Sequence, residues 1–475
     1  MRRRVRFGVV GFRCWVFGGA DNREPRTEYR SWDFRMSDKS NSRWPSSPPP
    51  RAPREWLLVI IGPGMAMAAT GVGAGDFITA AVNGAKFGVG LLWVIVAGAL
   101  VKGVLNEGLA RWQLETDTTV LEAWCHRFPP FVRYVFLVYL AVWTFFVGGS
   151  LASACGLAGH AICPLPVGEE WSVVIWGAAH LIGGGLLGLW GRYGLFEKLM
   201  SALAAVMFVG TVVGAAVSAP NILRTLRGAF VPSAIPPGSV PYILGAVGGV
   251  GGSVTVLCYG YWLIQARRVG RQWRKATVVD LVLCYALTAI FGLGVMIMSA
   301  QVFYPAPNIT EGRSLLIQLA NALRERVGPA GYWLYVWGFW GAMFSTVLGL
   351  TQGIPYLFSH LVAMIKGVPE NEQAAYLSPT SPWYRGYLLY ATFPPLAWLF
   401  FKRPVAMVVT FAILASFVTP FIAATLLYMN NRRDWIGRAK YGLVLNVFLA
   451  ASLALFLFLM GSEVVEQVGK LVGGR

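Results

Sequence analysis

The chain has 475 residues, of which 56% are hydrophobic and only 13% charged, against roughly 25% charged in an average soluble domain. That balance argues against a soluble enzyme and for an integral membrane protein. The formal net charge of +18 would suit a nucleic-acid binder, but most of the Lys and Arg residues sit in short segments between apolar runs, so the basicity reads as membrane orientation and not as a nucleic-acid surface.

The first 56 residues stand apart. Arg2, Arg3 and Arg4 precede a short apolar stretch, but Arg13 splits it, so a secretion signal is a poor reading. Residues 36–54 are rich in Ser, Pro and charge and bury too little apolar area to fold. Residues 1–56 are therefore expected to form a basic, disordered cytoplasmic tail in contact with anionic lipid. Met36 is an alternative start of translation.

Eleven apolar spans follow, each near the ~20 residues a transmembrane helix needs. They cover about 57–83, 88–110, 131–158, 171–190, 194–217, 239–265, 277–301, 330–363, 384–401, 404–428 and 441–460. With the N-terminus inside, basic residues concentrate in the cytoplasmic loops, as at Arg267, Arg268, Arg271, Arg274 and Lys275. The linkers are short, so 57–460 is one transporter core and 461–475 a short C-terminal tail. The expected location is the inner (plasma) membrane, multi-pass. No phosphate-binding P-loop occurs, which argues against an ATP-driven pump. Six scattered cysteines form no metal-ligand cluster with the four histidines. Cys155 and Cys163 are close enough in sequence to pair near one surface.

Two spans are interrupted by nearly the same glycine run. Gly71-Val72-Gly73-Ala74-Gly75-Asp76 falls in the first and Gly249-Val250-Gly251-Gly252-Ser253 in the sixth. Glycine inside a helix costs about 1 kcal/mol relative to alanine, so both runs predict unwound backbone. At membrane depth such backbone survives only where it is buried or lines a polar cavity. A pair of Gly-interrupted spans in corresponding halves points to the binding site of a secondary transporter.

Ionisable groups inside spans are functional candidates by default. Asp76 opens the second half of the first span, where it serves either as an N-cap or as a cation ligand beside carbonyls freed between Thr70 and Gly75. In the sixth span Ser253 and Thr255 flank the break, and hydroxyls with carbonyls suit Mg²⁺, Ca²⁺ or Mn²⁺. The bland alternative for Thr255 is a bond back to its own helix. Tyr259, Tyr261 and Trp262 beyond it read as packing. Glu107 is either a proton relay or the i, i+4 partner of Arg111. His180 is either a relay or a hydrogen-bonded structural histidine. Lys102 and Glu107 do not share a helix face. Glu197 and Asp280 read as helix-start charges. No paired carboxylates, zinc motif or Ser/His/Asp set appears, so the protein is not read as an enzyme and needs no cofactor.

From Gly62-Pro63-Gly64 through Asp76-Phe77, then Ala85-Lys86-Phe87-Gly88 and Leu91-Leu92-Trp93, the chain resembles the Nramp family of divalent metal transporters. Leu109-Ala110-Arg111, Ser345-Thr346 and Pro420-Phe421 are further echoes, and the resemblance covers roughly 57–460. It implies an all-α integral membrane fold, the LeuT-like 5+5 inverted repeat with broken helices 1 and 6 and about 11 transmembrane helices. It also implies alternating access and proton-linked import of Mn²⁺ or Fe²⁺. Carried over by alignment, the metal site comprises Asp76, the Thr255 hydroxyl and the carbonyls of Thr70, Gly73 and Gly252. The pattern departs from the family where the site lies. The family's DPGN corresponds to Gly73-Ala74-Gly75-Asp76, so its metal-binding Asp is Gly73 and its Asn is Asp76. Its Met-Pro-His corresponds to Thr255-Val256-Leu257, which removes the thioether and the histidine. The expected function is secondary transport of a hard divalent cation such as Mn²⁺ or Mg²⁺. The alternatives are a carrier of a small organic solute such as an amino acid, or a non-transporting sensor on the same fold.

Overall fold

In the computed structural model, residues 44–472 are described apart from 61, 191–192, 219–221, 306–312 and 402–403. Nineteen α-helices run through them: α1 Pro53–Ile60, α2 Pro63–Gly71, α3 Ala74–Phe87, α4 Leu92–Thr116, α5 Val120–Arg127, α6 Phe131–Ile162, α7 Glu169–Trp190, α8 Tyr193–Ser218, α9 Ile222–Phe230, α10 Val240–Gly249, α11 Cys258–Gln265, α12 Arg274–Phe303, α13 Arg313–Val327, α14 Pro329–Ile365, α15 Gln373–Tyr376, α16 Pro382–Thr392, α17 Pro404–Met429, α18 Arg433–Ile436 and α19 Leu443–Val472. Proline opens several of them, at the first helical position where its missing N–H costs nothing.

Among the described residues six helical stretches are long and apolar enough to cross a bilayer by themselves. One, Asp76–Thr116, is 41 residues long, twice what a ~30 Å hydrocarbon layer requires. It turns at Gly88, whose φ of 65° opens a 3₁₀ turn before α4, and so supplies parts of two spans. Three of the other expected spans are assembled from pieces, α2 with α3, α10 with α11 and α16 with the 3₁₀ stretch Pro394–Phe401, and the last two fall on the single helices α17 and α19. The long α14 lies at the centre, with 89% of its most apolar window buried.

Of the tail expected over 1–56, residues 1–43 lie outside the described set; the remainder, from Trp44 onward, contacts the core. Ser47 N–H donates to the Arg267 carbonyl at 2.8 Å, and the Trp273 indole donates to Ser47 at 2.9 Å. Trp44 is buried, and Trp56 and Val59 of α1 pack with Leu114, Trp273 and Ala276. At the other end, α19 continues through the expected tail to Val472.

Candidate functional site

Both glycine runs unwind, over a shorter length than the sequence suggests. The first helix stops at Gly71. Val72 (φ −96°, ψ 84°) and Gly73 (φ −114°, ψ −166°) are the non-helical pair before α3 begins. Asp76 reaches back so that its Oδ2 accepts the Gly73 N–H at 3.0 Å, a cap at the positive end of α3. The second break spans Val250 to Ser253, with Gly251 at φ 74° and Gly252 at φ 84°. Two successive left-handed residues are tolerable only because both are glycine. A 3₁₀ turn over Val254–Leu257 then leads into α11.

The two breaks press against one another. A Cβ on Gly71 would lie 2.8 Å from the Gly251 carbonyl carbon, and one on Gly252 would lie 2.3 Å from Thr255 Oγ1, 3.2 Å from Met67 Cε and 3.5 Å from Gly71 Cα. Only glycine allows this approach. Tyr285 of α12 closes against Gly251, and the Trp143 indole of α6 donates to Ser253 Oγ at 3.1 Å.

Several carbonyls released by the breaks are taken up by side chains from elsewhere. Ser345 Oγ donates to the Ala69 carbonyl at 2.8 Å, and Thr346 Oγ1 donates to the Val72 carbonyl at 3.1 Å, both from α14. The Gly73 carbonyl accepts the Phe77 N–H at 3.0 Å and keeps one lone pair. Lys102, buried on α4, donates from Nζ to the Gly248 carbonyl at 3.1 Å, the Gly252 carbonyl at 2.6 Å and Thr419 Oγ1 of α17 at 2.9 Å.

Among the buried side-chain oxygens without a hydrogen-bond partner are Thr70 Oγ1, Asp76 Oδ1 and Thr255 Oγ1. All three belong to residues the sequence singled out. The structure brings Gly252 and Thr255 together with Gly71, and places Asp76 at the start of the half-helix beyond it. The Thr70 hydroxyl instead leans on Gly349 of α14, so the carbonyl of Thr70, and not its side chain, is the group the assignment requires. Among the described residues no three of His, Cys, Asp and Glu gather as a metal cluster. A cation at the breaks would therefore rest on one carboxylate and neutral oxygens.

The two relay candidates are engaged elsewhere. Arg111 donates to Glu107 Oε1 at 2.6 Å, the i, i+4 pairing that was one of its two readings. His180 uses both ring nitrogens, Nδ1 with the Trp176 carbonyl at 2.6 Å and Nε2 with the Trp340 indole at 2.8 Å. Cys155 and Cys163 are free thiols.

Sequence reading missed a second polar cluster. Asp280 of α12, 1% exposed, accepts the Gly64 N–H at 2.8 Å and the Tyr259 hydroxyl at 2.9 Å, with Arg268 Nη1 at 3.4 Å. It ties the start of α2 to α11, α12 and the loop between them. Its only linear signal was an aspartate near a helix start, which named no partner.

A family model described as natural resistance-associated macrophage protein-like matches residues 64–466. The divalent metal cation transporter MntH of Chromohalobacter salexigens is 25% identical over 270 residues, covering 53% of this chain and 59% of that one. The match thus spans less than two thirds of that relative. Among solved structures, a point mutant of the Eremococcus coleocola manganese transporter superposes with a TM-score of 0.66 at 17% identity over 92% of both chains. The same transporter with an aromatic bis-isothiourea compound gives 0.65 at 18% identity and equal coverage. Mhp1, a nucleobase-cation-symport-1 family transporter, gives 0.51 at 13% identity over 86% of this chain and 93% of that one. These likenesses show that the chain has the all-helical, LeuT-like fold.

Proposed function

The chain belongs to the natural resistance-associated macrophage protein (Nramp) family, and on that premise we propose that it is a secondary transporter carrying a divalent metal cation by alternating access. Asp76 supplies the charge. The Thr255 hydroxyl and the carbonyls of Thr70, Gly73 and Gly252 complete the oxygen set. One observation carries this assignment: Asp76 Oδ1 and Thr255 Oγ1 are buried without hydrogen-bond partners beside two breaks whose close contact glycine allows. An all-oxygen set suits hard ions such as Mn²⁺ and Mg²⁺. The methyl of Met67 lies against Gly252.

The protein resides in the plasma membrane with its N-terminus cytoplasmic. The cation is its substrate and protons are the coupling ion. The saturated ring of His180 weighs against a relay there, whereas Glu107 pairs with Arg111 through Oε1 only and keeps Oε2 without a partner; Asp76 is the acid at the breaks. Uptake of Mn²⁺ and Mg²⁺ into proteoliposomes, with and without an inward proton gradient, tests the reading. Asp76→Ala is expected to lower uptake at least tenfold. Unchanged uptake in that variant removes Asp76 from the site. Thermal stabilisation by amino acids but not by divalent ions replaces the reading with an organic-solute carrier.

A further inference from the structure

We propose that the Lys102 ammonium is a tethered cation resident in the oxygen cage of the second break, and that a transported ion gains the Gly252 carbonyl only by displacing it. An ammonium has three donors and no acceptor. At Lys102 all three are used, on Gly248 O, Gly252 O and Thr419 Oγ1. None of these partners is a carboxylate. Gly248 lies in the last turn of α10, the negative end of its dipole, and Gly252 is unwound backbone just beyond. Half-helix C-termini and freed carbonyls of this kind are where transporters of broken-helix design hold cations. Lys102 therefore fills a cation site with a side chain.

The charge is what the position retains. A neutral amide on a helix can serve a carbonyl of a neighbouring element, as Gln113 of α4 does for the Gly260 carbonyl at 2.8 Å. A lysine at membrane depth is far costlier and is kept where its charge acts. Asp76 is the carboxylate whose field reaches Lys102. With both in place the breaks carry one negative and one positive charge. A divalent ion entering beside Asp76 meets a like charge on the very carbonyl assigned to it. Lys102 and the ion therefore use Gly252 O in turn.

Residency does not depend on the transport reading, whereas displacement rests on it, and the test separates them. Full-length wild type, Lys102→Ala and Lys102→Met are melted in detergent at matched ionic strength with methylammonium chloride or choline chloride. Residency predicts that Lys102→Ala melts below wild type, and that methylammonium restores most of the loss while choline, too large for the cage, does not. Equal effects of the two salts overturn it. Mn²⁺ binding by calorimetry is expected to be at least tenfold tighter in Lys102→Met than in wild type. Equal or weaker binding overturns displacement, and so does absence of Mn²⁺ binding in both proteins. Where the lysine variants fail to fold, Thr419→Val keeps the ammonium on two acceptors, and a two- to fivefold gain in Mn²⁺ affinity is then expected. No gain overturns displacement.

Discussion

Gly71→Ala sets helix propensity against the packing of the breaks. Gly71 is the last residue of α2, so alanine should gain up to about 1 kcal/mol from propensity alone. The new methyl, however, would lie 2.8 Å from the Gly251 carbonyl carbon, where carbon atoms prefer about 3.5–4.0 Å. The obstacle is backbone, which has no rotamer to change, and overpacking of this kind costs about 1–3 kcal/mol. The cost exceeds the gain, for a net loss of about 1 kcal/mol and an apparent melting temperature lower by up to about 2 °C. Because relief requires the breaks to separate, Mn²⁺ uptake should fall at least tenfold. Gly183→Ala is the control. It lies in α7 with nothing within 4 Å of its added methyl, so it should melt slightly higher and transport normally. If both alanines raise the melting temperature and both proteins transport, the breaks do not abut.

Ser345→Ala and Thr346→Val each orphan a carbonyl of the first break, at about 0.6–1.7 kcal/mol apiece. Differential scanning fluorimetry should register both losses, and a pair without effect would mean that α14 does not cap those carbonyls. Arg268→Ala removes the cation beside buried Asp280. The loss should fall at or below the low end of the ~3–5 kcal/mol typical of a broken buried pair, because Tyr259 and Gly64 still donate. Cys284, one turn further along α12 and buried, should then react faster with maleimide, and an unchanged rate would deny Arg268 a part in closing that side. Cys163 is exposed and Cys125 buried. Burial pushes the Cys125 thiol up to about 12 against the pull of Arg133. Thiolate is the reactive form, so Cys125 labelling should climb with pH without a plateau below about 12. An impermeant maleimide should modify Cys163 from outside the cell at neutral pH. Labelling of Cys163 only in inside-out vesicles would reverse the orientation.

How much of this was legible in the chain follows from the range of the forces involved. The two breaks were readable because the glycine penalty is local and repeats at matching positions. The Glu107–Arg111 pair was readable because i, i+4 contact follows from helix geometry alone. Asp76 was readable as a cap because it sits three residues from the backbone it caps. Lys102 was visible as a charge in a span, yet its role was not, because its acceptors lie 146, 150 and 317 residues away and depend on how three helices are set against one another. The same holds for Asp280 and for Ser46 and Ser47, whose anchoring depends on a loop more than 200 residues further on. Ser345 and Thr346 appeared only as echoes of a family pattern. Their task, capping carbonyls of the first break, emerged when α14 was placed beside it.

Anomalous diffraction from crystals soaked in Mn²⁺ would test the central claim most directly. The account predicts one strong peak between the two breaks, within coordinating distance of Asp76 and Thr255, with Lys102 withdrawn from Gly252. A peak remote from Asp76, or continuous helices through residues 72–73 and 250–253, would contradict it.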